Sequence, residues 1–164
     1  MIKRELFVKT GGLIVAEGQK TLYTGGVGSC VVACLWDMKK FIGGMAHIPQ
    51  SVSTGDDPGI SVLPAVSPDR ALPLLLLMME NRGAARKNIF VRLAGAGNMF
   101  RMPDDCFMCN IGRSILDKTR NVVSGLELAI TGESVGGVYG RNVRFHVDTG
   151  EVLLTFTSGE RLNL

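Results

Sequence analysis

The sequence contains no apolar run long enough to cross a membrane or to direct export. Its richest apolar segment, residues 71–79, contains Pro73 and is bounded by Arg70 and Glu80, far short of the roughly 20 residues that a membrane-spanning helix needs. The first twelve residues carry charges but lack the apolar core of a signal peptide. We therefore expect a soluble, cytoplasmic protein without membrane insertion, whose cysteines are reduced thiols.

The sequence also lacks clustered charge, internal repeats and low-complexity tracts. Its 18 basic and 15 acidic residues give a formal net charge of +3. No basic cluster interleaves with aromatic side chains, so we expect no nucleic-acid partner. The hydrophobic share of 46% and the charged share of 20% are typical of a folded globular protein. The length of 164 residues predicts a single domain over residues 1–164.

Glycine, by contrast, is abundant, and its 21 residues separate short apolar segments. This texture favours sheets joined by tight turns over a helical bundle. The predicted strands are residues 6–9, 13–16, 30–36, 41–46, 88–93, 126–131, 143–147 and 152–156. A Thr-Gly step at residues 149–150 predicts a hairpin between the last two of these strands.

Two helices interrupt the predicted strands. The first has Ser67 as its N-cap, a proline and an acid in its first turn, and a predicted end near Arg82. The second runs from about Asn110 to Gly125, with apolar residues on one side. Residues 49–68 form a predicted long loop, and loops of that length are usually functional or mobile. The predicted fold class is α/β (α+β), with layered mixed β-sheets flanked by two main helices in a single domain.

Cys30 follows a glycine-rich stretch and opens an apolar strand, which leaves three interpretations open: core filling, metal ligand or nucleophile. A cysteine nucleophile needs a base, a turn that exposes its sulfur and donors for an oxyanion. The glycines up to Gly28 allow a sharp turn, and Ser29 and Cys30 offer backbone N–H groups at the start of the strand. Taken by itself, however, a cysteine in an apolar strand is more often a core residue.

A base for Cys30 has to come from the two histidines of the sequence. His47 ends the following strand, and adjacent antiparallel strands place the start of the first beside the end of the second. This pairing predicts that His47 lies near Cys30, whereas no comparable argument applies to His146 in the C-terminal hairpin. Cys34 points to the same side as Cys30 in a regular strand, and we interpret it as a core residue.

Three further motifs carry weaker signals. Cys106 and Cys109 have the spacing of half a zinc site or of a redox pair, but the other half would have to be Cys30 and Cys34, which lack a zinc-knuckle turn. Segment 93–98 has two of the three glycines of the dinucleotide fingerprint and no helix after it. We interpret that segment as a tight backbone contact beside the site, and residues 132–141 as a rim of the same cleft.

Two elements, Thr24-x-x-x-Gly28-Ser29-Cys30 and the Met-Ala-His motif that ends at His47, together resemble the CheD family of bacterial chemoreceptor glutamine deamidases. Either element alone would be unspecific, but the pair at this spacing is specific. The resemblance spans nearly the whole chain, since it continues through residues 99–100, 110–112, 136–137 and 148–150.

The resemblance implies that Cys30 is the nucleophile, His47 the base and Thr24 the third member of the site, with Gly28 and Ser29 in the oxyanion and substrate loop. It implies hydrolysis of glutamine side-chain amides on methyl-accepting chemoreceptors to glutamate and ammonia, through a cysteine thioester and with no metal or organic cofactor. Some members of the family also bind the phosphatase CheC. The alternatives are a non-catalytic adaptor that binds chemoreceptors or a CheC-type phosphatase, and a deamidase that acts on a non-receptor protein. For the enzyme, we expect the imidazole to shift the thiol toward thiolate.

Overall fold

The strands form two mixed five-stranded sheets, and two helices cover one of them. The structure, a computed structural model, describes residues 4–52, 62–103 and 105–164, apart from the side chains of residues 107–109. Within these residues the helices are α1 (Pro68–Glu80) and α2 (Phe107–Gly125), with a short 3-10 helix at Arg86–Asn88. The strands are β1 (Arg4–Phe7), β2 (Leu13–Glu17), β3 (Lys20–Val27), β4 (Val31–Asp37), β5 (Ile42–Ile48), β6 (Ile89–Gly95), β7 (Ala129–Val135), β8 (Arg141–His146), β9 (Val152–Phe156) and β10 (Arg161–Asn163).

The two sheets and the helices are stacked as layers. The outer sheet has the strand order β1-β3-β8-β9-β10, and the central sheet has the order β2-β5-β4-β6-β7. Along β4, Ala33 and Leu35 pack with the helices, while Val32 and Cys34 pack with the outer sheet. A sheet buried on both faces needs apolar residues at successive positions, which explains the unbroken apolar character of β4. The predicted α+β fold, mixed sheets flanked by two helices, is confirmed.

Both predicted helices are present, with small differences in their limits. α1 has the extended residue Ser67 at its N-cap and Pro68 at its first position, as predicted. Pro73 lies inside α1, five positions after its first residue. α2 begins at Phe107, three residues before the predicted Asn110, and ends at the predicted Gly125.

The stretch interpreted as a glycine turn belongs mainly to a strand that the sequence pattern does not predict. β3 pairs with β8, with Thr24 opposite Val143 and Val27 opposite Arg141. Three steps along β3 therefore match two along β8, which is a β-bulge. Gly26 takes the positive φ of +64° that this bulge uses. The bend that leads into β4 comes later, at residues 28–30.

The predicted C-terminal hairpin is confirmed, because β8 and β9 pair antiparallel and Gly150 has a φ of +79°. Two predicted strands are displaced, since β1 and β7 lie at Arg4–Phe7 and Ala129–Val135. The sequence pattern also does not predict β10, a short and exposed edge strand. Of the predicted loop at 49–68, residues 53–61 lie outside the described residues. The two flanks of that loop are joined by the Gln50 N–H, which donates to the Val66 carbonyl at 3.1 Å.

Candidate active site

The outer and central sheets meet in a hydrogen bond between Thr24 of β3 and His47 of β5. Thr24 Oγ1 lies 2.8 Å from His47 Nδ1, and both residues are only 1% exposed. Because Nδ1 is engaged by the threonine, Nε2 is the ring nitrogen that remains for other chemistry. Nε2 is buried and has no hydrogen-bond partner among the residues that the structure describes. A buried polar atom without a partner is costly in a folded protein, and such atoms concentrate at functional sites.

Cys30 lies on the same side of the central sheet as His47. In the pairing of β4 with β5, Val32 is opposite His47 and Val31 is opposite Ile48. Side chains alternate along a strand, so Cys30 shares the face of Val32 and stands diagonally from His47. The Cys30 side chain accordingly packs against the core between the sheets and stays partly accessible. The strand pairing that the sequence predicts is therefore present.

Burial controls the protonation of both groups. Desolvation raises the pKa of the Cys30 thiol above its ordinary value, and a hydrogen bond from its own backbone N–H opposes this only in part. Desolvation lowers the pKa of His47 to about 4. At neutral pH the free protein thus holds a neutral thiol beside a neutral imidazole. This differs from the expectation that the imidazole shifts the thiol toward thiolate, because burial disfavours both charged forms and no hydrogen bond joins Nε2 to the sulfur.

The turn at Gly28–Cys30 is held from one side by the glycine-rich segment after β6. Gly97 N–H donates to the Gly28 carbonyl and Ala96 N–H donates to the Cys30 carbonyl, both at 2.8 Å. Gly95 allows this approach, because a Cβ there would stand 2.1 Å from the Cys30 carbonyl oxygen, and its φ is +116°. The predicted tight backbone contact beside Cys30 is therefore confirmed.

The bond to the Gly28 carbonyl also fixes the direction of the Ser29 N–H group. In a trans peptide the N–H points opposite to the carbonyl, and the described residues contain no cis peptide bond. Since the Gly28 carbonyl faces Gly97, the Ser29 N–H points away from that segment. Neither Ser29 N–H nor Cys30 N–H donates to a carbonyl among the turn and loop hydrogen bonds of the described residues. The Ser29 N–H is therefore available to an oxyanion, whereas the Cys30 N–H bonds its own sulfur in the free protein and becomes available once that sulfur bonds to a substrate carbon.

The second glycine-rich segment is tied to the first. Asn98 N–H donates to the Gly137 carbonyl at 2.7 Å, and Gly136 N–H donates to the Gly95 carbonyl at 2.8 Å. Arg141, which is 2% exposed, donates to the carbonyls of Ser134 (2.7 Å) and Gly136. Sequence reasoning did not identify Arg141 as the residue that orders this segment. The only hint in the sequence is that Arg141 directly follows a glycine-rich segment.

Comparison with known proteins identifies a family and relatives that this chain resembles in sequence. The family model for CheD, described as CheD chemotactic sensory transduction, matches residues 49–156. A protein of Clostridium novyi (strain NT) named "Probable chemoreceptor glutamine deamidase CheD" is 33% identical over 154 residues, 93% of each chain. The protein of the same name from Clostridium botulinum (strain Hall) is 29% identical over 151 residues, 92% of each chain.

The chain belongs to the CheD family. The matched family segment begins two residues after His47, so it covers the glycine-rich supports of the turn but not Thr24, Cys30 or His47. The alignment with the Clostridium novyi relative leaves out only 7% of the chain, less than the stretch that precedes Thr24, and therefore includes all three positions.

Two cavities of this CheD-family chain lie next to α2. The larger, about 400 Å³, is lined by residues 49–52 after β5 and by α2. The smaller, about 60 Å³, is lined by Ser29 and by residues of the loop after β6. Ile111 of α2 lines both. The smaller cavity therefore reaches the Gly28–Cys30 turn at Ser29.

The remaining cysteines differ in their surroundings. Cys34 is 2% exposed between the sheets, and burial raises its pKa to about 12, which agrees with its interpretation as a core residue. Cys106 is the N-cap of α2, whereas the Cys109 side chain lies outside the description. Among the described residues, no group of three or more His, Cys, Asp or Glu side chains could hold a metal ion. Nor does any helix in the described ranges have the length and apolarity to span a membrane.

Proposed function

We propose that this chain is a cysteine amidohydrolase that converts specific glutamines of methyl-accepting chemoreceptors to glutamate and ammonia. In this proposal Cys30 is the nucleophile, His47 the acid–base group and Thr24 the residue that orients the imidazole. The observation that carries the proposal is the 2.8 Å bond from Thr24 Oγ1 to His47 Nδ1, which leaves Nε2 buried and unpaired on the face where Cys30 stands. The name of the two Clostridium relatives, probable chemoreceptor glutamine deamidase, supports the choice of substrate.

Acylation begins when the Cys30 sulfur attacks the carboxamide carbon and its proton moves to His47 Nε2. Since the thiol pKa is raised and the imidazole pKa is lowered to about 4, this transfer is strongly uphill in the free protein. It becomes favourable only as the C–S bond forms and negative charge moves onto the carboxamide oxygen. The N–H groups of Ser29 and Cys30 then receive that oxyanion.

Collapse of the tetrahedral intermediate breaks the C–N bond. The imidazolium proton goes to the departing nitrogen, which leaves as ammonia, and Cys30 is left as a thioester of the glutamyl side chain. Neutral His47 next takes a proton from a water molecule, whose oxygen attacks the thioester carbon. Breakage of the C–S bond returns the proton to sulfur and releases glutamate, so one water is consumed for each ammonia released.

Thr24 holds the imidazole in the orientation that both steps require. A threonine hydroxyl can serve either tautomer, as a donor to an unprotonated Nδ1 or as an acceptor from a protonated one. During the reaction Nδ1 has to carry a proton while Nε2 exchanges one. The hydroxyl of Thr24 then accepts from Nδ1–H and keeps the ring from rotating about its bonds to the backbone.

The test is single-turnover mass spectrometry on a cytoplasmic fragment of a chemoreceptor, with ammonia measured in parallel. Wild-type protein is expected to raise the mass of specific glutamines by about 1 Da, as an amide becomes an acid. Cys30→Ala is expected to abolish the change and Cys34→Ala to retain it. Activity in Cys30→Ala would overturn the nucleophile, and equal loss in both variants would show a structural effect.

The same preparation separates the enzyme from its alternatives. A wild-type protein that binds the receptor fragment or a CheC-type phosphatase but releases no ammonia would be an adaptor. A protein that deamidates other proteins and leaves the receptor fragment unchanged would keep Cys30 chemistry and overturn the substrate. We further propose a cytoplasmic location, which fits a substrate region on the cytoplasmic side of receptors.

A further inference from the structure

Two glycines near Cys30 make room for one methionine. A Cβ at Gly28 would stand 2.8 Å from Cε and 3.2 Å from Sδ of Met99, and a Cβ at Gly140 would stand 2.8 Å from the same Sδ. Neither Gly28 nor Gly140 has a positive φ, so the backbone does not require glycine at either position. A side chain at either position would therefore have to displace the end of the Met99 side chain.

Met99 stands between a braced loop and the Gly28–Cys30 turn. Its neighbour Asn98 accepts from Met102 N–H at 3.1 Å and donates to the Met102 carbonyl at 2.9 Å. The Asn98 backbone is held in turn by the Gly137 carbonyl. Met99 lines the 60 Å³ cavity beside Ser29 and also a cavity of about 230 Å³ on the far side, next to Gly140 and Arg141. The side chain therefore wedges between the turn and β8.

The contact falls on the peptide unit that carries the Ser29 N–H. One side of Gly28 is fixed by the hydrogen bond from Gly97, and the Met99 side chain packs directly on its α-carbon. A hydrogen bond alone leaves the peptide free to pivot about the N–H···O direction. The Met99 side chain opposes that pivot, because the turn would have to displace the methionine or lose its dispersion contacts with it.

We propose that Met99 is a positioning residue for the deamidation, because it holds the Gly28–Cys30 turn so that the Ser29 and Cys30 N–H groups point at the oxyanion. The inference rests on the proposed function, in which Cys30 is the nucleophile. Met99 touches the turn and not the substrate in this role. Its loss therefore slows the chemical step and leaves substrate binding unchanged.

The test compares Met99→Ala, Met99→Leu and Met38→Ala by steady-state and single-turnover kinetics on a glutamine-containing receptor peptide. Met38 is the matched control, since it is a methionine of similar exposure (46% against 44%) in the turn between β4 and β5. Met99→Ala is expected to lower kcat about tenfold or more, because small displacements of catalytic groups are costly, with KM within about twofold. Met99→Leu should rescue kcat to within about threefold, and Met38→Ala should match wild type.

A second variant reaches Met99 from the side away from Cys30. Gly140→Ala places a methyl group against the methionine sulfur and is expected to lower kcat by displacing the wedge. Because both changes act through one contact, the double variant Met99→Ala/Gly140→Ala should be no slower than Met99→Ala. If Met99→Ala does not fold, wild-type kcat in Gly140→Ala overturns the inference.

The outcomes separate this inference from the proposed function. Full activity in Cys30→Ala would overturn the proposed function itself. An inactive Cys30→Ala together with wild-type kcat in Met99→Ala would overturn only the role of Met99. A rise in KM with unchanged kcat would also overturn it, since the methionine would then contact the substrate. Equal losses of kcat in Met99→Ala and Met38→Ala would also overturn it, since the loss would then reflect a general decrease in protein stability.

Discussion

β3 carries two threonine–histidine pairs, and they lie in different surroundings. Thr24 bonds His47 across the space between the sheets at 2.8 Å, whereas Thr21 bonds His146 of the neighbouring strand at 2.9 Å. Thr21 and Thr24 are three positions apart, so they project from opposite faces of the outer sheet. The inner pair has a buried, unpaired Nε2 beside a thiol. The outer pair shares its face with the stacked Tyr23 and Arg144 and has no cysteine near it in the strand pairings.

The comparison teaches that a threonine–histidine hydrogen bond is not in itself a catalytic feature. Both pairs have nearly the same length and the same atoms. What distinguishes the inner one is desolvation, which lowers the pKa of His47 to about 4, and the presence of Cys30 on the same face. The four predictions below test that distinction.

The largest expected effect comes from removing each histidine. His47→Ala should lower the single-turnover rate between about a hundred- and ten-thousandfold, the range for loss of a general acid–base. His146→Ala should change the rate less than about threefold. Mass spectrometry of the receptor peptide gives both rates. An active His47→Ala with an inactive His146→Ala would exchange the roles of the two pairs.

The pH dependence of stability should also belong to the inner pair. The unfolded chain binds a proton on His47 near its ordinary pKa of 6.5, whereas the folded chain does so only near 4. As pH falls from 6.5 to 4, the unfolded state therefore binds more protons than the folded state. The free energy of unfolding then falls by up to about 3 kcal/mol because of this group. Urea unfolding of wild type and His47→Gln between pH 4 and 7 tests this. His47→Gln should lose this contribution, and an unchanged slope in that variant would contradict it.

Replacing Thr24 and Thr21 should lower turnover less than replacing the histidines does, with the larger loss again at the inner pair. Thr24→Val leaves His47 Nδ1 buried without a partner, which costs about 1–3 kcal/mol of stability, and frees the ring to rotate. We expect turnover to fall about tenfold, less than in His47→Ala. Thr21→Val should have a smaller effect on both stability and turnover, because His146 is partly exposed and water can replace the hydroxyl. Equal rate losses in the two variants would show that β3 distortion, not ring orientation, is responsible.

The smallest difference is expected in thiol reactivity. Since burial raises the Cys30 pKa, iodoacetamide should label Cys30 slowly at pH 7, and faster as pH rises toward 9 and the thiolate fraction grows. Cys34, buried with a pKa near 12, should remain unlabelled, and His146→Ala should leave the Cys30 profile as in wild type. A labelling rate that is already maximal below pH 7 would indicate a thiolate–imidazolium pair in the free protein.

The sequence was sufficient for the parts of the site that depend on neighbouring strands. β4 and β5 are consecutive and apolar, so their antiparallel pairing and the approach of His47 to Cys30 follow from strand order. The location of Thr24 on a strand does not follow in this way. Gly25 and Gly26, which follow Thr24, predict a turn. Only pairing with β8, more than a hundred residues away, holds them in a bulged strand. Tertiary pairing there overrides the local preference.

The burial of the site residues was the second property that the sequence did not predict. The pattern Gly-Ser-Cys and Met-Ala-His indicates a thiol–imidazole pair but contains no measure of desolvation, which reverses the expected shift of the thiol pKa. The roles of Arg141 and Met99 depend on which carbonyls and α-carbons they meet in the folded chain. Glycine at positions 28 and 140 signals a close contact, but the sequence does not say with what.

The pairing of β3 with β8 sets the order in which the site can be completed during synthesis. Thr24 leaves the ribosome early, together with Cys30 and His47, but the strand that holds it pairs with residues near the other end of the chain. Contacts of such long sequence separation form late, since a large loop must close first. A chain that ends before β8 can therefore pair β4 with β5 and bring the imidazole toward the thiol, but it lacks the strand that holds Thr24. In the proposed function, orientation of the imidazole is thus the last feature of the site to form.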